Sequence, residues 1–122
     1  MRFVQDCIFC KMANGEVPTD FVYEDELVVA FDDINPQAPV HALIVPRVHH
    51  TTPGDGVGSE LGAALFSAIP SVARAKGVAD SGYRVIINAG RDANQSVHHL
   101  HIHILGARSM SHRMLRFLDE SE

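Results

Sequence analysis

Three histidines occupy alternate positions in His99-Leu100-His101-Ile102-His103, and this run holds the residues best suited to chemistry. In an extended strand, side chains alternate between faces. The three imidazoles therefore share one side, while Leu100, Ile102 and Ile104 share the other. Imidazole is a poor choice for a strand beside valine or threonine, so the row calls for a reason. A solvated edge is one reading. A metal site is a second, but the outer rings lie roughly 13 Å apart along a strand, and ligand bonds of about 2 Å keep one ion from touching all three. Nucleophilic catalysis is the third, and the chemistry favours it. Neutral imidazole attacks near neutral pH without a separate base, because its reference pKa is about 6.5. The phosphoryl-imidazole it forms is labile to water, which splits one hard displacement into two easier ones. Such a ring must be locked, with one nitrogen facing phosphorus and the other donating to a fixed acceptor.

A second group is Cys7-Ile8-Phe9-Cys10. Its spacing suits a metal knuckle, a redox pair or two plain core residues. A thioredoxin-like role is weak, because no strand of a βαβ unit precedes the pair. The Gly54, Gly56, Gly58 spacing faintly suggests a dinucleotide turn, but the third glycine is misplaced and no strand leads into it. Residues 50–58 therefore read as a mobile surface loop.

The elements that must position these groups follow from periodicity. Residues 7–14 make a short helix, stopped by Gly15 and Pro18. Residues 21–24 and 27–31 read as strands around a turn at Asp25-Glu26. Residues 35–39 hold two prolines and form a rigid loop, and residues 41–46 form an apolar strand. From Ser59 the apolar residues Leu61, Ala64, Leu65, Ala68, Ile69 and Val72 recur at helical spacing. Ser59 is placed to cap this helix, Gly77 to end it and Pro70 to kink it. Residues 83–88 are a strand, and the last strand runs over 97–105. The segment from Met110 has no clear assignment beyond a helical turn. The expected class is α+β: an antiparallel sheet of about five strands with one long and one short helix.

The motifs, taken in order, resemble the histidine-triad (HIT) superfamily, and its nucleoside phosphoramidase branch in particular. His-φ-His-φ-His-φ-φ is the superfamily signature. Residues 6–11 resemble the branch's opening, residues 30–39 its nucleoside loop, residues 41–47 its central strand and residues 95–97 its approach to the triad. The resemblance runs from about residue 7 to residue 106 and implies a HIT-like fold. It implies a single domain over 1–122, with a core at 7–106 and a tail at 107–122. It assigns His101 as the nucleophile that forms a nucleotidyl intermediate, and His103 as the phosphate partner that assists the leaving group and the water. His99 and His41 would fix ring orientation. Asn88 and Ser96, with less support Gln95, would donate to phosphate or leaving group. Asp33 would anchor the ribose, and Ile8, Phe9, Phe31, Ile34 and Leu43 would wall the base.

The implied activity is hydrolysis of purine nucleoside monophosphate conjugates such as phosphoramidates, in a homodimer, with no metal required for catalysis. Within the superfamily the alternatives are a dinucleoside polyphosphate hydrolase and a nucleotidyl transferase. Outside catalysis, the alternative is a nucleotide- or zinc-binding interaction module. Some bacterial members bind structural zinc through the cysteine pair and two histidines, which here implies Cys7, Cys10, His49 and His99. Two departures stand out. Asn94 sits where the branch often carries glycine, and the tail lacks the tryptophan-proline ending of animal members, which leaves the leaving-group preference open.

Composition sets the outer bounds. The 122 residues are 46% hydrophobic and 20% charged, in the range of a globular domain. A formal charge of -5 without a Lys/Arg run excludes an electrostatic footprint for nucleic acid and the basic amphipathic stretch of a membrane-surface helix. Residues 1–6 meet a charge at once and lack an apolar signal segment. With two cysteines, this points to a reducing cytoplasm.

Overall fold

The computed structural model of the protein describes residues 3–113. Chain order is α1 (Ile8–Ala13), β1 (Tyr23–Glu24), β2 (Val28–Asp32), β3 (Val40–Pro46), α2 (Gly58–Ala75), β4 (Tyr83–Ile87) and β5 (Ile102–Gly106). The five strands form one sheet in the order β1-β2-β3-β5-β4, and every neighbouring pair is antiparallel. The class and the inventory of five strands with one long and one short helix are those expected. No helix among the described residues is long and apolar enough to cross a membrane.

The inner strands β2 and β3 are buried almost throughout, because both faces of the sheet are covered. On one face Val28, Ala30, Ala42, Ile44, Ile102 and Ile104 pack against Leu61, Leu65, Ala68, Ile69 and Val72 of α2. On the other, Val29, Phe31, Leu43 and Val45 pack against Cys7, Phe9, Cys10 and Ala13 of α1 and its cap. A strand buried on one face alternates apolar and polar; one buried on both reads as an apolar run. That explains the unbroken character of residues 41–46. The register sets His103 opposite Leu43 and His41 opposite Leu105, so both rings project to the α1 face.

Two local expectations are corrected. Ser59 lies inside α2, and its proposed capping role passes to Val57, whose side chain makes no capping bond. The preceding turn ends on Gly58 at φ +72, a left-handed conformation that glycine supplies at no steric cost, and the helix starts there. The last strand begins at Ile102 rather than Val97. The Leu100 N–H leaves the ladder to donate to the His50 carbonyl at 2.6 Å, and the His99 ring is drawn into a cluster beneath α1. Gly77 closes α2 at φ +75, with its N–H on the Arg74 carbonyl, and the helix continues unbroken through Pro70. The tail reading extends beyond Arg113, and that part lies outside the described residues.

Asn94 takes φ +59, the conformation a glycine would adopt and one that asparagine tolerates better than most residues. Its N–H bonds the Arg91 carbonyl at 2.9 Å, so the turn before the triad keeps its shape without glycine. Gly106 meets a different constraint, since a Cβ there would stand 2.8 Å from Val78 Cγ1. Gly106→Ala is therefore expected to destabilise the fold by about 1–3 kcal/mol through overpacking. In urea titrations, adding Val78→Ala should cost less in this background than in the wild type. Strict additivity of the two changes would contradict the close approach.

Candidate active site

His101 and His103 line a cavity of about 270 Å³ on the α1 face of the sheet. Its apolar wall is Ile8, Phe9 and Met12 from α1, with Phe31 and Leu43 from β2 and β3. Its polar rim includes Asp33 and Ser96, and Ile34 stands at the mouth, 88% exposed. A cavity of about 300 Å³ lies elsewhere, between the β1–β2 turn and the start of α2. It is lined by Glu26, Leu27, Glu60 and Leu61 among others but by no triad histidine.

The triad is three different environments. His99 is fully buried, and its Nε2 donates to the Pro46 carbonyl at 2.9 Å, which leaves the Nδ1 lone pair facing Cys7 Sγ at 3.3 Å. Burial first, then the neighbouring imidazoles, drive its pKa down to about 4, against the pull of the Pro46 carbonyl. His101 is buried as well, and its Nδ1 donates to the His99 carbonyl at 2.7 Å. A neutral imidazole carries one proton. With that proton on Nδ1, His101 Nε2 holds a free lone pair.

His103 has the opposite tautomer, imposed from further away. The Gln37 backbone N–H donates to His41 Nδ1 at 3.0 Å, so the His41 proton sits on Nε2. From there it reaches His103 Nδ1 at 2.9 Å, with Asp33 Oδ2 also near at 3.4 Å. His103 therefore carries its proton on Nε2, a buried donor with no hydrogen-bond partner among the described residues. Such an orphan is costly unless a ligand acceptor meets it. Burial lowers the His103 pKa to about 4, helped by repulsion from His101 and His41 and opposed by Asp33. Burial likewise lowers that of His41, with Asp33 again opposing. Two rings 4.9 Å apart, both lining the cavity, thus carry a lone pair on one Nε2 and a hydrogen-bond donor on the other.

Not every residue singled out from the sequence reaches this cavity. Asn88 follows the end of β4, half-buried, and does not line it. The Gln95 side chain is buried, and its amide is committed to the backbone. Nε2 donates to the Thr51 and Val97 carbonyls, and Oε1 accepts from the Gly90 N–H. It fastens the loop that carries Ser96 rather than facing the cavity. Met12, Asp32, Asn35 and Val97 also line the cavity, and the sequence reading gives them no role. Met12 lies one helical turn from Ile8, a spacing that could have identified it.

Cys7, Cys10, His49 and His99 form a second, wholly buried cluster, with one donor atom from each lying within 4.8 Å of the others. The Cys7–His99, Cys10–His49 and Cys10–His99 separations are 3.3, 3.3 and 3.5 Å. Bonds of about 2.0–2.3 Å to one tetrahedral ion place donors roughly 3.3–3.8 Å apart, and these three separations fit. Burial pushes the Cys10 thiol up, and the Cys7 thiol beside it adds to this, which disfavours the thiolate. A bound cation would reverse that preference. The pair makes no disulfide.

A family model described as the HIT domain matches residues 14–110. The chain is 42% identical over 109 residues to the purine nucleoside phosphoramidase of Escherichia coli (strain K12), covering 87% of this chain and 91% of the relative. It is 48% identical over 109 residues to the 14 kDa zinc-binding protein of Zea mays, covering 85% and 84%. Among solved structures, a HIT family hydrolase from Clostridium thermocellum aligns with a TM-score of 0.86 at 40% identity, covering 92% of this chain and 99% of that one.

The depressed pKa of His103 makes stability depend on pH. Between about 6.5, its unfolded value, and about 4, the unfolded chain binds a proton that the folded chain refuses. Its contribution is whole above the upper bound and lost as pH falls toward the lower one. Urea unfolding should show stability falling from pH 7 to pH 5, with a shallower fall in His103→Gln. An equal fall in both proteins would remove His103 as the cause.

Proposed function

The chain belongs to the HIT family, and on that premise we propose that it hydrolyses purine nucleoside monophosphate conjugates, phosphoramidates foremost, through a nucleotidyl intermediate on His101. The observation that carries this reading is the pair of opposed tautomers. His101 Nε2 offers a lone pair and His103 Nε2–H a hydrogen-bond donor, on two rings that line one cavity.

The steps then balance. His101 Nε2 bonds the α-phosphorus as the P–N bond breaks, and the departing nitrogen takes a proton from solvent water, while neutral His103 holds a phosphate oxygen through its Nε2–H. Water then attacks the same phosphorus and returns a proton to the solvent as the phosphorus–imidazole bond breaks, which restores His101 and releases the nucleoside monophosphate. His103 donates to the phosphate oxygens, and Ser96 on the rim adds a donor. Preorganised donors around developing charge supply a large share of such catalysis. Asp33 would accept from the ribose hydroxyls, while Phe9, Phe31, Leu43 and Ile34 would sandwich the base. The name of the Escherichia coli relative supports the substrate class.

The Cys7, Cys10, His49 and His99 set suits zinc, since two thiols and two imidazoles at tetrahedral spacing favour it, and the maize relative is called zinc-binding. In this reading the ion is structural, and no step of the reaction passes through it. We assign the dimer interface to the outer strand β4, where Val85 and Ile87 are exposed, and to Phe66 of α2, 76% exposed.

Release of amine from an adenosine phosphoramidate should fall at least ~10³-fold in His101→Ala and His101→Asn, on the scale of losing a nucleophile. Activity within a few-fold of wild type in either variant would refute the assignment. A parallel panel with a dinucleoside polyphosphate separates the two hydrolase readings. Native mass spectrometry should find a dimer with about one zinc per chain. A monomer would sink the interface assignment, and a metal-free chain with two titratable thiols would sink the zinc.

A further inference from the structure

The peptide unit joining His99 to Leu100 is gripped at both ends. Its carbonyl accepts the His101 Nδ1 proton at 2.7 Å, and its N–H donates to the His50 carbonyl at 2.6 Å. Each grip leads directly to the Cys/His cluster. His99 places its own ring there, and His50 follows His49, which places another. The peptide stands outside the strand ladder, which begins at Ile102, so no cross-strand pairing sets its tilt. A second contact runs the same way. Phe9 lies between the two cysteines, and its ring stands edge-on to His99 at 5.8 Å and to His101 at 5.2 Å.

We propose that His99 is a positioning residue for the nucleophile, through which a divalent ion at Cys7, Cys10, His49 and His99 fixes the tautomer of His101. The proposal rests on the reading of His101 as the attacking ring and deepens it. The helix α1 has only six residues, far below the length at which a helix holds itself. Phe9, Cys10 and Ala13 pack it on the sheet, and an ion bound by Cys10 and the N-cap Cys7 would clamp it there. Without the clamp, the His99 ring keeps its Pro46 bond but loses its neighbours on Nδ1, and the His99–Leu100 peptide can tilt. Hydrogen bonds weaken steeply as their angle closes. Once the Nδ1–H bond to that carbonyl slackens, His101 samples its other tautomer. In that form Nε2 carries the proton and no lone pair faces phosphorus.

The His41–His103 pair supplies a contrast within the same molecule. Its tautomers derive from the Gln37 N–H in the loop before β3, which lies outside the Cys/His cluster. The ion should therefore set one tautomer in the triad and leave the other alone. A general loosening of the fold would disturb both.

The test uses the full chain labelled with nitrogen-15 histidine at pH 8, loaded with zinc, stripped with a chelator and reloaded. Long-range nitrogen–proton spectra report which nitrogen of each ring carries its proton. His101 should show Nδ1–H alone when loaded, a mixture when stripped and Nδ1–H again on reloading, while His103 stays Nε2–H throughout. In the same samples kcat on an adenosine phosphoramidate should fall about tenfold or more on stripping, the scale of a lost outer-shell partner, and more than KM rises. If the stripped chain unfolds, Cys10→Ala supplies a cluster-free state for the same spectra. Unfolding of both preparations overturns the proposal, because the ion would then hold the whole fold rather than one ring. So does a His101 tautomer indifferent to zinc, a joint change in His101 and His103, or failure to bind zinc at all. A zinc-dependent His101 tautomer in a chain that releases no amine would support the positioning role and refute the proposed reaction.

Discussion

One hydrogen bond, from His101 Nδ1 to the His99 carbonyl at 2.7 Å, decides what this fold can do chemically. A neutral imidazole has a single proton, and whichever nitrogen holds it cannot attack. The same ring, turned over or bonded through Nε2, would be a buried polar group without a task. The structure around this bond serves to hold two atoms in line. The His99 side chain disappears into the cysteine cluster, the Leu100 side chain packs against α2, and the intervening peptide is left with its carbonyl directed at His101.

The two-sided burial of the sheet makes this possible at a tolerable cost. Burial destabilises an imidazole's cation, and the depressed values of His41, His99 and His103 record that penalty. Near neutral pH the rings avoid the penalty by staying neutral. They satisfy most of their polar atoms with backbone groups and with each other. Among the described residues, the buried side-chain donor left without a partner is His103 Nε2, on the ring beside His101. Polar atoms left without partners tend to mark sites where a ligand completes the bonding. Here an anionic phosphate oxygen has the right chemistry.

Much of this was legible in the sequence, because the governing patterns are local. A period of two put His99, His101 and His103 on one face, and helical spacing marked α2 from Leu61 to Val72. Other features depend on partners distant in the chain. Val97 to His101 has the composition of a strand, yet His50 takes the Leu100 N–H from 50 positions away, and the ladder starts late. Gln95 looked like a free donor, but its amide closes onto Thr51, 44 residues distant. The cluster of four was named from a resemblance, because residues at 7, 10, 49 and 99 share no period. Only the folded sheet brings them within 4.8 Å. Asn94 is the reverse case: an apparent departure from pattern that the backbone absorbs by adopting φ +59.

The claim at the centre is that His101 Nε2 becomes bonded to phosphorus during turnover. Rapid quenching of the protein with an adenosine phosphoramidate, followed by peptide mass spectrometry under conditions that spare phosphorus–nitrogen bonds, examines this directly. An adenylyl group on the peptide containing His101, mapped to that ring and absent from His101→Asn, is the result expected. Turnover that proceeds with no adduct at any time point, or with the adduct on a different residue, would contradict the account.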